Sequence, residues 1–159
     1  MKILPMLLTL AVSAQALIGQ ESFRGPLPEQ QRELIRQLAE NHKELKRTVT
    51  LTETGYTATT TSTNSTLAQA LKDHVAYMEK RLDSGAMVRR WDPAFAELVK
   101  HYSDLSAEIK ILPDGLAVNV SGKNPDSIKV AQNHAKIVSG FVDEGSEAVS
   151  RTHPPALKK

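Results

Sequence analysis

The chain of 159 residues contains no cysteine. That excludes disulfides, thiolate metal ligands, a lipidated cysteine at an export cleavage site and covalent c-type haem attachment. Aromatic residues make up only 4%, so no stacking surface for bases or sugars is expected. Charge of one sign is lacking too: 20 basic and 18 acidic residues leave a formal net charge of +2. Nucleic-acid binding draws on clustered positive charge, so nucleic acid is not expected as a partner. Enzyme signatures are missing as well. There is no G-x-S-x-G, no glycine-rich phosphate loop and no dinucleotide fingerprint. Serine and histidine occur, but no arrangement singles out a nucleophile and its base. The carboxylate pair Asp143-Glu144 reads as the solvated end of an amphipathic helix. The signals favour a non-catalytic protein.

Long apolar runs are absent except at the start. Ile3 to Val12 is mostly apolar, follows Met1-Lys2 and precedes Ala14-Gln15-Ala16. The run is about half the length of a membrane span, so residues 1–16 read as a secretory signal peptide and the mature chain as beginning at Leu17. Its style is bacterial, which predicts a periplasmic protein with no membrane span. Asn64-Ser65-Thr66 is then a chance match to a glycosylation triplet.

The feature that stands out is an internal echo. The ungapped shift that carries His74 onto His134 also lays Leu38, Leu45, Gly55, Asn64, Asp83 and Gly85 on identical residues at 98, 105, 115, 124, 143 and 145. The apolar pattern agrees at Val49/Ile109, Leu51/Ile111, Ala58/Val118, Val75/Ala135, Met78/Val138 and Leu82/Val142. Such an echo predicts two copies of one supersecondary unit packed together.

The local patterns give each unit the same order. Residues 17–28 hold two prolines and two glycines and read as a flexible lead-in. A helix is expected from Pro28 to about Lys46, with Leu34, Ile35, Leu38, His42 and Leu45 on one face. Threonine-rich alternation at 48–52 and 56–62 reads as a hairpin around Gly55. Asn64 or Ser65 caps a helix of about 65–84, with Leu67, Leu71, His74, Met78 and Leu82 inward and Gly85 at its end. Asp92-Pro93 opens the second unit with a helix of about 93–104 that buries Phe95, Leu98, Val99 and Tyr102. The Pro113-Asp114-Gly115 turn joins strands at 108–112 and 116–121. Asn124-Pro125 opens a helix of about 125–149, with Ile128, Ala131, His134, Val138 and Val142 inward. The tail 154–159 reads as irregular. This predicts a single α+β domain over 29–153, made of two α-β-β-α repeats at about 29–90 and 91–150. Its four strands would form one antiparallel sheet with helices packed on it. Separate packing of two sheets, or exchange of a unit between subunits, satisfies the same pattern.

Five histidines remain to be weighed. His74 and His134 occupy matching positions on apolar helix faces, so two readings compete. Either they are packed core residues, or both offer a nitrogen to one metal or haem iron near a two-fold axis. His42 lies on the apolar face of the first helix, and His153 sits in a tail able to fold back over a site. His101 reads as solvent-facing. No spacing is diagnostic, since H-x-x-x-H and H-E-x-x-H are both missing. Met78 reads as core filler. The cluster Arg89-Arg90-Trp91-Asp92 reads as a connector, with Trp91 over the core and Arg89 on helix-end carbonyls; an anion site is the alternative.

Several strings together carry a family likeness. They are Asn41-His42-Lys43, Gly55-x-x-x-Thr59, His74-Val75-x-x-Met78-x-x-Arg81, Gly85 and Arg90-Trp91-Asp92-Pro93-x-Phe95. The second half adds His134-Ala135-x-x-Val138-Ser139-Gly140-Phe141-Val142-x-x-Gly145 and His153-Pro154. The chain resembles, over nearly the whole mature length, a family of small exported bacterial proteins of unknown function. Some members are joined to a c-type cytochrome domain. The resemblance implies an envelope setting near electron transfer or metal handling, and it points to His42, His74, His134 and His153. An acidic run after Gly115 would fit the family pattern; Ser121-Gly122-Lys123-Asn124 stands there instead.

The resulting expectation is a periplasmic, non-catalytic protein that binds a transition metal (copper, zinc or nickel) or non-covalent haem. The ligands are His74 and His134, with His42 and His153 completing a cluster at the repeat interface. A c-type cytochrome is the candidate partner. The rivals are an envelope interaction module with packed histidines and a metal-dependent enzyme with an open coordination position.

Overall fold

The computed structural model describes residues 23–157. The expected signal peptide, the first part of the lead-in and the last two residues lie outside that range. The chain order is helix α1 (Glu29–Glu40), strand β1 (Lys46–Thr52), strand β2 (Gly55–Thr61) and helix α2 (Ser65–Asp83). It then repeats as α3 (Pro93–His101), β3 (Leu105–Leu112), β4 (Gly115–Gly122) and α4 (Pro125–Glu144), followed by a short α5 (Ser146–Ser150). The strands make one antiparallel sheet in the order β1-β2-β4-β3, so the fold is α+β.

The caps that start the helices are those the sequence announces. Asn64 accepts from the Thr66 and Leu67 amides, and Asp92 accepts from that of Ala94 with Pro93 as the first helical residue. Asn124 forms a reciprocal capping box with Ser127. Each Asn also reaches back 20 residues to a carboxylate: Asn64 Nδ2 donates to Glu44 at 3.0 Å and Asn124 Nδ2 to Asp104 at 3.2 Å. Glu44 and Asp104 are themselves equivalent under the shift that relates His74 to His134, so both halves start their long helix with the same hook.

Three boundaries differ from the sequence reading. The first helix ends at Glu40 rather than near Lys46, because a 3-10 turn over His42–Glu44 feeds β1 directly. A matching turn at Tyr102–Asp104 shortens α3 to His101. The last long helix stops at Glu144, because Gly145 takes φ 60° and ψ −130°, and α5 resumes after it.

Gly55 and Gly115 serve a purpose other than turning. Each begins a central strand, pressed against the neighbouring strand's backbone. A Cβ at Gly55 would stand 2.0 Å from the Val120 carbonyl oxygen, and one at Gly115 would stand 2.1 Å from that of Thr60.

The register carries a two-fold arrangement. In the central β2–β4 pair Ala58 faces Val118, and Tyr56 faces Val120. Ser106 faces Ser121 in the second hairpin just as Lys46 faces Thr61 in the first. The helices break the symmetry. Helix α4 lies across the sheet, with Ala131 and Ala135 buried against Tyr56 and Ala58, whereas α2 lies mainly along β4. α1 packs on α2, and α3 packs on α4, where Phe95, Leu98, Val130 and Ile137 form a second cluster. The buried stripe of α4 runs through Val130, Ala131, Ala135 and Ile137; Val138 and Val142, expected inward, are only half-buried, and so is Ile128.

The opposite face of the sheet is left in solvent, with Thr48, Thr50, Thr57, Glu108 and Asn119 exposed or half-exposed along the strands. Among the described residues β1 and β3 are its two edges, each paired on one side only. Among the described residues no helix is long and apolar enough to cross a membrane.

Candidate functional site

The four histidines singled out by sequence stand in different surroundings. His42 lies in the 3-10 turn after α1, where its Nδ1 is 2.7 Å from the Val142 carbonyl oxygen. The carbonyl only accepts, so Nδ1 carries the proton and the ring is committed to the end of α4. His153 folds back from the tail and is buried. Its Nδ1 is 2.8 Å from Asp92 Oδ2, and its backbone amide donates to Asp92 Oδ1 at 3.1 Å.

Asp92 is completely buried and also receives the Arg89 guanidinium at 3.1 Å. Burial pushes its carboxyl up, but hydrogen bonds from His153 and Arg89 outweigh that and hold it below the usual carboxylate range. Arg89 further donates to the Val149 and Arg151 carbonyls, which ties α5 and the tail to the connector. This is the helix-end role expected for Arg89. Trp91, expected over the core, is 55% exposed with Arg89 stacked on its ring.

His134 sits in the α3–α4 seam, edge-on to Phe95 at 5.5 Å between centroids. Phe95 stacks on Phe141, which in turn meets the His153 ring at 5.4 Å. His134 and His153 thus border one aromatic cluster. His42 stands at the end of α4 and His74 in the other half. The structure does not bring the four together at the repeat interface. Among the described residues no hydrogen bond or ring contact joins any two of them, and no three histidine or carboxylate side chains are grouped to hold a metal.

His74 has the least ordinary surroundings. Burial holds its ring down to about 4; for His134 burial does the same, with the Arg47 charge adding to it. Both imidazoles are therefore neutral at pH 7. A neutral imidazole has one donor and one acceptor nitrogen, yet His74 Nδ1 is wholly buried without a partner among the described residues.

Three further buried side-chain atoms share that condition: Tyr77 Oη, Arg81 Nη1 and Gln31 Oε1. His74, Tyr77 and Arg81 are spaced i, i+3, i+7, one stripe of α2. The elements around that stripe fix what it faces. Phe23 packs on the Tyr77 ring at 5.2 Å, and the Gly25 carbonyl accepts from Arg81 Nη2 at 2.7 Å. An open groove of about 440 Å³ runs between α1 and α2, lined by Leu34, Gln37, Ala70 and Asp73 among others. None of the four residues with an unpartnered atom is among those that line this groove. Three of the four orphaned atoms thus lie on one stripe of α2, and the fourth is on α1.

The equivalent seam of the other half is finished differently. Ile137 and Phe141 replace Tyr77 and Arg81 there, and the tail seals it through Asp92–His153 and through Glu97, which accepts from the Ala156 and Leu157 amides. Spacing alone offered a signal for Tyr77 and Arg81: a phenol and a guanidinium one and two turns past His74 interrupt an otherwise apolar stripe. Gln31 had none.

No family model matches the chain, and no curated protein or solved structure matches it either.

Proposed function

We propose that this is a non-catalytic binding protein whose ligand seat is the α1–α2 seam around His74, Tyr77 and Arg81. One observation carries the reading. Among the described residues, the buried side-chain polar atoms left without a partner are His74 Nδ1, Tyr77 Oη and Arg81 Nη1 on one stripe of α2, and Gln31 Oε1 on α1. A buried donor or acceptor without a partner costs about 1–3 kcal/mol. Four together are an expensive arrangement unless something else completes them.

The metal or haem reading enters through the same residue. A neutral His74 with an uncommitted Nδ1 is a competent nitrogen ligand. Its companions, however, are an amide, a phenol and a guanidinium, a poor donor set for copper, zinc or nickel. His42 and His153 each spend a ring nitrogen on the protein, and His134 stands in the other seam. His42 and His153 both leave Nε2 to offer, but among the described residues no three histidine or carboxylate side chains are grouped to hold a metal. In the second reading the protein is an interaction module of the cell envelope, and its histidines are packing residues. Export to the periplasm and a c-type cytochrome as partner belong to either reading as proposals.

The test is element analysis and an absorption spectrum on untagged protein, followed by thermal unfolding with a panel of metals, haem and small polar molecules. Stabilisation by any of them, diminished in His74→Leu or Tyr77→Phe, supports the seam as a binding site. A colourless, metal-free protein that nothing in the panel stabilises overturns it and leaves the interaction module.

A further inference from the structure

We infer that the edge of β3 is a homodimer surface, on which two copies of the chain pair their β3 strands antiparallel about a two-fold axis at Ile109. The inference is independent of the ligand seat proposed above.

Backbone geometry limits how another strand can join. The Lys123 amide donates to the Asp104 carbonyl at 2.9 Å, which makes residues 104 and 123 a hydrogen-bonded pair in the register of the second hairpin. Antiparallel pairs alternate between bonded and non-bonded. Ser106, Glu108, Lys110 and Leu112 therefore turn their backbone groups toward β4. Leu105, Ala107, Ile109 and Ile111 turn theirs outward, to the edge. A second β3 must bond to those outward groups with its own. A two-fold axis at Ala107, Glu108, Ile109 or Lys110 meets that condition.

Charge chooses among these registers. An axis at Glu108 sets Glu108 against the partner's Glu108, and an axis at Lys110 sets Lys110 against the partner's Lys110. Like charges directly opposite are destabilising. An axis at Ala107 carries Ile111 past the end of the partner strand, which begins at Leu105. With the axis at Ile109, Glu108 faces the partner's Lys110, and the same pair recurs across the axis. These are non-bonded positions, where facing side chains stand closest. Edge charges ordinarily keep strands apart; in this register each meets its opposite.

The other side of the strand agrees. Ile111 is 58% exposed, the most exposed large apolar side chain among the described residues. Ala107 is exposed and Ile109 half-buried. With the axis at Ile109, Ile111 faces the partner's Ala107, a large side chain beside a small one, and the two Ile109 face each other. This apolar row continues the core side of the sheet, since Ile109 is paired with Val118, which packs on Ala58 and Ala131.

The β1 edge offers no such match. Its ionisable residues, Lys46 and Arg47, are both basic, so no register of two β1 strands joins opposite charges. Arg47 is also bonded to Thr60 and Ser139 within its own chain. Pairing through β3 alone closes as a dimer, because both copies spend the same surface.

The experiment is sedimentation equilibrium of the full chain over a wide concentration range, with hydrogen exchange at the Ala107, Ile109 and Ile111 amides. A dimer and nothing larger is expected, with those three amides becoming protected as it forms. Glu108→Lys and Lys110→Glu each set like charges face to face twice, and should weaken the dimer roughly tenfold. The double variant reverses both charges and should restore it. Both side chains are exposed, so the fold itself does not depend on them. A monomer at every concentration, with the three amides exchanging freely, overturns the inference. So does a monomer with the three amides always protected, since the chain's own residues then cover the edge. A dimer indifferent to the single charge reversals, or not restored by the double variant, is built on another surface. Growth beyond the dimer means β1 pairing with β3, and overturns the inference too.

Discussion

Ala58 and Val118 face each other at the centre of the β2–β4 pair, and they are separated by the same interval at which the sequence echoes itself. The two-fold arrangement of the sheet passes between them. His74 and His134, related by that same interval, lie instead in separate seams between a long helix and its own half's first helix. The sheet register keeps the two-fold arrangement, and the helices that carry the two histidines do not.

Acid should loosen the fold through these two imidazoles. Each ionises near 6.5 in the unfolded chain and near 4 when folded. Between those values the unfolded state holds more protons, so stability falls as pH drops from about 6.5 to about 4 and is unaffected by them above 6.5. The full effect is on the order of 3 kcal/mol per ring. Urea midpoints at pH 7 and pH 5 check it. The loss should shrink in His74→Gln and again in the double variant with His134→Gln; an unchanged slope contradicts the burial of the rings.

Gly55→Ala and Gly115→Ala should each cost more than about 2 kcal/mol, because the clash is with backbone of the central strands and opens the pair that holds the halves together. Gly85→Ala is the control. Gly85 has φ 70° and open space around it, so it should cost only about 1 kcal/mol. Denaturant unfolding of the three variants tests the ranking.

The helix starts should respond alike. Asn64→Ala and Asn124→Ala remove equivalent caps and should each lower stability by about 1 kcal/mol. Their hooks to Glu44 and Asp104 lie at or near the surface and should add little. A double-mutant cycle between Asn124 and Asp104 measures that remainder.

Asp92→Ala should release the tail. The change strands Arg89 and frees His153, a loss of about 3 kcal/mol for a broken buried pair. Hydrogen exchange at the His153, Ala156 and Leu157 amides reads the outcome. Fast exchange there, with the sheet still protected, is expected. Amides as protected as in the parent would mean that Phe141 and Glu97 hold the tail unaided.

The sequence displayed most of the architecture because its signals are local. Caps at Asn64, Asp92 and Asn124, alternation through the threonine-rich strands and the turn at Pro113-Asp114 each act within a few residues. Boundaries slipped where a neighbouring element decides them: His42 leaves the helix because the end of α4 claims its ring, and Gly145 breaks α4 where His42 and Ala39 crowd against it. The candidate site was legible only in part. His74 stood out by repetition, yet the burial of its unpartnered nitrogen depends on packing between elements, which no pattern along α2 reveals. Gln31 looked like one more polar residue on a charged helix.

The two edges of the sheet, unpaired among the described residues, set a rule for self-association. In the language of polymer chemistry the protomer is difunctional: β1 and β3 are equivalent reactive ends. Joining two copies through one end leaves the other ends free, so growth through edges makes chains and has no natural stop. The like charges of Lys46 and Arg47 on β1 act as chain terminators, because a strand added there must approach and desolvate them.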